Sequence, residues 1–261
     1  DSGTVDINGN LDVDGGTIKL DGNYPTGSGN VALGDRALSS GSLSGNFNTA
    51  VGFCSLKDNT SGNRNTASGM NSLKANTEGS CNVAVGRDAL CTNTTGSNNT
   101  GIGFSTLLAN TTGGNNTAMG VLSLNSNTTA SDNTAVGFCS LKANTTGTRI
   151  VAIGKDSLRT STTGGDNVAI GYQSLLDNTI GCQNVAIGYR SAFENIDGNF
   201  NVAIGHNSLC DNTTGDNNTA LGHSSLTNNT ASNNTAVGFA SLSANTTGGC
   251  NTAVGHNSLL K

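Results

Sequence analysis

The chain has little of what usually builds a compact core or a charged binding surface. Trp is absent, Pro occurs once, and aromatic and charged residues make up only 4% and 11% of 261 residues. With a formal net charge of −5, no basic stripe is available to meet phosphates, which argues against a nucleic-acid partner. No apolar run approaches the roughly 20 residues of a membrane-spanning helix, so we expect no membrane insertion.

The chain has instead a five-residue phrase, Asn-[Thr/Val]-Ala-[aliphatic]-Gly, that recurs fourteen times. Successive phrases start 17 residues apart, except for one interval of 18 and one of 16. We call each repeat a rung, number its residues from position 0 at the Asn, and call the residues at one position of successive rungs a column. Rungs 1 to 14 start at Asn30, Asn48, Asn65, Asn82, Asn99, Asn116, Asn133, Ile150, Asn167, Asn184, Asn201, Asn218, Asn234 and Asn251.

So short and regular a period is typical of a solenoid in which each repeat forms one turn. Positions 1 and 3 alternate with positions 0, 2 and 4, which predicts a short strand with one buried face. A rung of 17 residues is too short for two helices, and we expect two short strands joined by two corners. The sequence therefore predicts an all-β parallel β-solenoid over residues 30–261, with 13 full turns and one partial turn.

Stacking places equivalent residues above one another, which predicts columns of like side chains. We expect the aliphatic column at position 3, exemplified by Val136, and the Leu column at position 8, exemplified by Leu141, to form the interior. The Asn column at position 0 is expected to form a ladder of side-chain amides. Two or three aliphatic residues per rung are few for the backbone that they must order, so we expect one face to be buried against copies of the chain.

Residues 1–29 precede the first rung and have a different pattern. Alternating apolar residues such as Val5, Ile7, Leu11 and Val13, broken by Asn-Gly and Gly-Gly, predict short strands. We interpret this segment as a cap or connector. The last rung stops before its corner, so we expect the segment of one subunit to cap the last rung of the next in a head-to-tail filament.

All three histidines share position 5 with most of the aromatic residues of the repeat. Such a column could pack at a corner or at a seam between subunits, stack on glycans, or bind a metal through histidine triplets. We favour packing and expect no metal site, because histidine-bound metals need further ligands in close geometry. The residues are Phe53, Phe104, Phe138, Tyr172, Tyr189, His206, His223, Phe239 and His256.

The corner sequence Asn-Thr-Thr-Gly generates Asn-x-Thr sequons wherever it recurs. We interpret it as a turn sequence rather than as a set of glycan acceptors. Its near-continuous Thr column at position 12 is similar to ice-binding faces, but Thr beside Gly in a corner does not give the flat face that ice binding needs. The candidate acceptors are Asn59, Asn93, Asn110, Asn144, Asn212 and Asn245.

The seven cysteines show no spacing typical of a disulfide framework or a zinc site. Cys54 and Cys139 share position 6, but the rungs between them separate the two residues too widely for a disulfide. Unpaired thiols favour folding in a reducing cytosol. No catalytic grouping departs from the repeat, so we expect neither an enzyme nor a cofactor.

The phrase Asn-Val-Ala-Ile-Gly-x-x-Ser at residues 167–174 and 201–208 resembles the head repeat of trimeric autotransporter adhesins, the YadA-like head. The resemblance covers residues 30–261. It implies a left-handed parallel β-roll, three chains packed as a homotrimer, and a binding surface that faces outward. The rung is longer here because of the added Asn-Thr-Thr-Gly corner. Residues 7–27 are similar to segments of structural and tail-fibre proteins of cyanophages and related aquatic phages.

These resemblances predict a non-enzymatic structural fibre subunit. We expect a phage or phage-like tail fibre, located on the virion, that presents a host-binding surface to a glycan. The alternative is a bacterial cell-surface adhesin or an extracellular filament protein. The free thiols favour the phage interpretation, since phage fibres fold in the host cytosol.

Overall fold

A computed structural model describes residues 28–259, where the chain forms a single β-solenoid with one three-residue strand in each rung. The strands are β1 Val31–Leu33, β2 Thr49–Val51, β3 Thr66–Ser68, β4 Val83–Val85, β5 Thr100–Ile102, β6 Thr117–Met119, β7 Thr134–Val136, β8 Val151–Ile153, β9 Val168–Ile170, β10 Val185–Ile187, β11 Val202–Ile204, β12 Thr219–Leu221, β13 Thr235–Val237 and β14 Thr252–Val254. The strands and the cap predicted within residues 1–27, and their contact with the last rung, lie outside the described residues.

All fourteen strands belong to one parallel sheet, in which each strand pairs with the strand of the next rung. Equivalent positions lie opposite one another, as Ala186 of β10 does with Ala203 of β11. No helix occurs between residues 28 and 259. The prediction of an all-β parallel solenoid with one turn per repeat is confirmed.

The second strand expected in each rung is not formed, because tight turns occupy that part of the rung. Positions 6, 8 and 16 have positive φ, and even Leu141 has a φ of 49°. Bulky residues rarely adopt this left-handed conformation. Here the Cys139 N–H donates to Val121 O of the preceding rung at 3.0 Å, and the Leu141 N–H donates to Ser157 O of the next rung at 2.9 Å. These turns therefore stay hydrogen-bonded to both neighbouring rungs without a strand.

The interior contains the middle residue of each strand rather than its last residue. Ala135 at position 2 and Leu141 at position 8 are fully buried, whereas Val85 and Ile153 at position 3 are each 38% exposed. The Leu column is inside as predicted, but the placement of the position-3 column inside was wrong. Because the strand faces Leu side chains across a thin roll, only a short residue fits at the inward position.

Glycine at position 4 allows successive rungs to approach closely. Gly137 has a φ of 136°, and a Cβ added there would lie 2.5 Å from the carbonyl oxygen of Gly154. No side chain can be accommodated at that distance without a shift of the backbone. The conformation and the close approach together explain why this position is Gly in all fourteen rungs.

Two Asn columns, at positions 0 and 11, fill the rest of the interior. In a regular rung both amides donate to one carbonyl, as Asn65 and Asn76 do to Gly79 O at 2.8 and 2.9 Å. The Oδ1 atom of Asn65 accepts the backbone N–H of Asn82 in the next rung at 2.9 Å. Because the buried amides are hydrogen-bonded, these bonds join the rungs and offset the cost of removing the amides from water.

The amide-to-amide ladder runs along position 11, whereas it was predicted along position 0. Asn76 Nδ2 donates to Asn59 Oδ1 at 2.8 Å, and the same contact recurs up the column at Asn93, Asn110 and Asn127. Most side chains at position 0 bond instead to backbone groups. The prediction that the position-0 side chains form an amide ladder was therefore wrong. These side chains instead bond to the backbone of their own rung and of the next rung.

Some departures inside the roll occur as matched pairs. Rung 8 replaces both Asn residues, with Ile150 at position 0 and Ser161 at position 11, and both are fully buried. In regular rungs the Asn side chains at positions 0 and 11 meet at one Gly carbonyl. In rung 8 the larger Ile150 therefore occupies one of these two places and the smaller Ser161 the other. Rung 5 combines Gly101 with Thr106, where a Cβ on the glycine would lie 3.2 Å from the threonine Oγ1.

The first prediction tests whether the Leu column at position 8 lies inside the solenoid and the aliphatic column at position 3 lies outside. Leu90→Ala empties a fully buried site and should lower the free energy of unfolding by about 2–5 kcal/mol. Val85→Ala in the same rung should change it by about 0.5 kcal/mol or less, since the side chain is partly exposed. Guanidinium unfolding measures both values at a concentration at which light scattering shows a single chain. Equal losses would contradict the placement of the two columns.

A second prediction concerns the paired departure in rung 8. The Ser161 Oγ atom is buried without a hydrogen-bond partner in the described part of the chain. Restoring both amides with Ile150→Asn and Ser161→Asn should recreate the network. The double variant should be about 0.5–3 kcal/mol more stable than the sum of the two single changes predicts. Ser161→Asn combined with the distant Val85→Ala serves as the additive control. Additivity in both cycles would show that the two sites are independent.

Candidate functional site

The outward face of the sheet carries a column of aliphatic side chains along the solenoid. They come from position 3 of each rung except rung 3, which has Ser68, and the exposed members are more than one-third accessible. Position 1 adds half-buried Val and Thr side chains beside them. The exposed members are Leu33, Val51, Val85, Ile102, Met119, Ile153, Leu221 and Val254. A soluble protein rarely leaves so long an apolar surface open to water, which makes this face a candidate contact surface.

A second exposed column, at position 5, stands just past the Gly corner, and we call it the aromatic ridge. The structure places all the aromatic and histidine residues predicted as a stripe in this column: Phe53, Phe104, Phe138, Tyr172, Tyr189, His206, His223, Phe239 and His256. From Tyr172 onward six consecutive rings are stacked. Their centroids lie 4.7–5.4 Å apart and the interplanar angles are 2–19°.

Two cations belong to the ridge and were missed in the sequence. The Lys155 ammonium lies 5.8 Å from the ring centroid of Phe138 and 5.7 Å from that of Tyr172, so it bridges the gap between two aromatic rungs. The Arg87 guanidinium lies 4.6 Å from the ring centroid of Phe104. Both are cation–π distances. The sequence did contain a signal, because Lys155 and Arg87 both occupy position 5. Grouping residues by their position in the rung, and not only by aromatic type, would have included them.

Stacking decides which part of each ring is available to a ligand. Rings such as Tyr189 and His206 cover one another's faces at 4.7 Å, so their edges point away from the stack. A sugar that stacks on aromatic side chains needs an open ring face. The six-ring run therefore offers hydrogen-bonding edges, namely Tyr hydroxyl and His nitrogen atoms, rather than flat platforms.

The position-12 threonines are bonded within the solenoid. The Thr60 hydroxyl donates to Thr77 O at 2.9 Å, and Thr94 donates to Thr111 O at 3.0 Å in the same way. These hydroxyl protons bind carbonyls of the next rung and are not presented together to water. The arrangement supports rung stacking rather than an ice-binding face.

The predicted glycan acceptors lie in the inner amide column at position 11. The side chains of Asn59, Asn93, Asn110, Asn144 and Asn212 are fully buried. Asn245 is half-buried, and its Nδ2 donates to Asn229 Oδ1 at 2.6 Å and to Gly248 O at 2.8 Å. N-glycosylation would require these nitrogens outside the roll. In the folded chain these six side chains are structural amides, in keeping with the interpretation of the corner as a turn sequence.

A shallow groove of about 320 Å³ opens beside rungs 8 to 11. Asp177 and Glu194, at position 10 of successive rungs, line it together with Ile196, which replaces the usual Thr at position 12. Rung 10 also departs from the Leu column. Ala192 fills that place and is buried, while Phe193 lies outside it with the Arg190 guanidinium 3.9 Å from its ring centroid. The groove thus presents carboxylates, hydroxyls and one aliphatic side chain.

An ion pair marks the outer corner at position 16. The Arg149 Nε and Nη2 atoms donate to the two carboxylate oxygens of Asp166 at 2.6 and 2.8 Å. This bidentate hydrogen bond lowers the pKa of Asp166 and raises that of Arg149. Because both groups are exposed, the pair fixes local side-chain positions and adds little stability.

No group of three or more His, Cys, Asp or Glu side chains arranged to hold a metal occurs in residues 28–259. The Nδ1 atom of His223 lies 2.9 Å from Ser224 Oγ, a contact that the repeat pattern did not predict.

No protein-family model, curated protein or solved structure matches the chain. The described part also contains no helix of the length and hydropathy needed to cross a bilayer.

The cysteines give a prediction about reactivity. All seven are free, with Cys81 and Cys250 exposed. Burial, together with a hydrogen bond to and the charge of Asp211, raises the pKa of Cys210 to about 12. The neutral thiol is then favoured, and at pH 8 only about one thiol in ten thousand is the reactive thiolate.

Iodoacetamide at pH 8 should therefore alkylate Cys81 and Cys250 first and leave Cys210 unmodified. The rate at Cys210 should rise as the pH approaches 12, provided that the fold persists. Peptide mapping by mass spectrometry measures each site, and circular dichroism monitors the fold. Equal labelling of Cys210 and Cys81 at pH 8 would contradict the assigned burial.

Proposed function

We propose that this chain is a non-enzymatic structural subunit of a fibre, which packs against copies of itself and projects a binding surface outward. The observation that carries the proposal is the column of exposed aliphatic residues along the sheet. At about 4.8 Å per rung this column extends for about 60 Å. It is apolar in every rung except rung 3, where Ser68 takes the aliphatic position, as expected of a surface that is covered along its length by another rod.

The arrangement of the side chains supports packing between parallel copies. Every rung except rung 3, which has Ser68, contributes one aliphatic residue at the same height, so a second solenoid can match this column rung for rung. The resemblance to the YadA-like head favours three copies, because in that family the rolls pack as a trimer. The remaining outward columns, at positions 5, 9, 10, 13, 15 and 16, vary between rungs and are left to contact a partner.

The preferred setting is the tail fibre of a phage or a phage-like particle. The free cysteines and the similarity of residues 7–27 to phage structural proteins support it. A glycan on the host surface is the proposed partner, bound through polar edges rather than on ring faces. The second candidate is a cell-surface adhesin or extracellular filament, which the adhesin-like repeat favours. Immunogold labelling of purified native particles and of the producing cells distinguishes the two settings.

The self-association face is tested by charge placed on it. The variant Ile102→Lys with Met119→Lys adds two cations to position 3 of rungs 5 and 6. The matched control, Thr112→Lys with Thr129→Lys, adds the same charge to exposed position 13 of the same rungs. Burying unpaired ammonium groups is costly, so the first variant should dissociate and the control should not.

Light scattering coupled to size exclusion measures the outcome. The wild type and the control should have about three times the subunit mass of 26.1 kDa, and the position-3 variant should have the mass of a single chain. A wild type that stays monomeric at all concentrations would contradict self-association. Dissociation of the control alone would place the contact on another face.

A further inference from the structure

Positions 9 and 10 follow the buried position 8, and in the middle of the solenoid they carry opposite charges in successive rungs. Lys142 and Arg159 occupy position 9 of rungs 7 and 8. Asp177 and Glu194 occupy position 10 of rungs 9 and 10. All four residues are at least partly accessible to solvent. We call these four side chains the charge strip, because two cations are followed directly by two carboxylates along one side of the solenoid.

The charge strip is poorly compensated within the chain. Among residues 28–259, Lys142, Asp177 and Glu194 form no ion pair. Arg159 has only a long contact, in which its Nη1 atom lies 3.7 Å from Asp156 Oδ1. The two carboxylates also line the groove beside rungs 8 to 11, which leaves room for a side chain from outside. A partner with charges in the complementary order would therefore find unpaired groups of opposite sign.

A second copy of this chain has that complementary order. From rung 7 to rung 10 the charge strip runs positive, positive, negative, negative, and a copy turned end over end presents the reverse. Rung 7 of one copy then faces rung 10 of the other, and rung 8 faces rung 9. A two-fold axis between rungs 8 and 9 thus sets every cation against a carboxylate, since a two-fold contact makes each pair twice.

We propose that the charge strip is a contact surface between two antiparallel copies of the solenoid. Lys142 of each copy meets Glu194 of the other, and Arg159 of each copy meets Asp177 of the other. The groove admits the two cationic side chains, whose aliphatic stems cover Ile196. Because the contact does not use position 3, it goes beyond the proposed fibre packing and joins one rod or fibre to the next.

Two other alignments match the charges less well. An in-register parallel pair would place Lys142 against Lys142 and Glu194 against Glu194, and like charges set against each other are unfavourable. A parallel pair shifted by two rungs would pair Lys142 with Asp177, but it would engage the cations of only one copy. Of the three alignments, the antiparallel pair alone uses the whole charge strip of both copies.

Salt dependence separates this contact from the apolar face at position 3. Exposed ion pairs are individually weak and screened by salt, so affinity through the charge strip should fall about 10-fold between about 0.05 M and about 0.5 M NaCl. Sedimentation velocity of the full chain should show heavier species at low salt that dissociate at high salt. Apolar packing persists at high salt, so the mass that remains there reports on position 3 alone.

Charge reversal tests the pairing itself. Lys142→Glu with Arg159→Glu makes the charge strip negative in all four rungs, and Asp177→Lys with Glu194→Lys makes it positive in all four. Each variant alone should lose the salt-sensitive association, because like charges then oppose each other. An equal mixture of the two variants should regain it, with an affinity within about threefold of the wild type.

The matched control is Lys57→Glu with Lys74→Glu. It makes the same change of net charge at position 9, but in rungs 2 and 3, outside the proposed contact. This variant should associate like the wild type, and circular dichroism of every variant checks that the solenoid persists.

Cross-linking identifies the alignment. Carbodiimide joins an amine to a carboxylate only where the two are in contact, and an equal mixture of light and heavy-nitrogen-labelled chains marks bonds between chains. In one chain Lys142 and Glu194 stand three rungs apart, about 14 Å, so a bond between them requires a second copy. Mass spectrometry should find Lys142–Glu194 peptides with one light and one heavy half.

Any of four results would overturn the proposal. The first is a wild type whose mass is the same at low and high salt. The second is a mixture of the two reversed variants that fails to associate, and the third is a control that loses as much affinity as Lys142→Glu with Arg159→Glu. The fourth is mixed-label Lys142–Asp177 peptides in place of Lys142–Glu194, which would establish the shifted parallel pair.

Discussion

Hydrogen bonding between parallel rungs is the constraint on which the rest of this structure depends. Each rung lies one strand spacing from the next, about 4.8 Å, so every residue meets its own equivalent above and below. At position 4 that spacing leaves no room for a side chain, as the 2.5 Å approach to Gly154 O from a Cβ on Gly137 indicates. Because the same spacing acts on every rung, it selects the same residue type at each inner position. The sequence therefore repeats, and equivalent residues form columns.

The same spacing explains how a thin roll can hold polar residues inside. An Asn side chain spans the distance between rungs, so a buried amide can bond to the next amide or to its backbone, as Asn76 and Asn65 do. The Leu column supplies the apolar interior, and the amide columns supply bonds that run along the axis. In rung 8 both positions change together, to Ile150 and Ser161, and both side chains stay buried.

Much of the fold could be predicted from the sequence, because period and alternation are strong signals. The strands, their register and the inner Leu column follow from them. The inward face of the strand could not be assigned from alternation alone, since the adjacent Ala and aliphatic residue are both apolar. Size would have decided it, because the inward position faces the Leu column and only a short residue fits there; a Cβ added to Gly101 would already lie 3.4 Å from Leu90 Cδ1. The left-handed conformation of Leu residues gave no signal, as bulky residues seldom adopt it.

The candidate site follows from the division between inner and outer columns. Inner positions repeat because spacing and packing select them, so they carry little information about a partner. Outer positions other than the aliphatic column at position 3 are free of that selection, and they are where rungs differ. In the ridge, residue type changes from Phe138 through Lys155 to His206 while stacking is kept, so the chain preserves contact between rungs and alters the chemistry of the exposed edges. A solenoid of this kind can thus place a different ligand-binding group at each height without any change in the backbone.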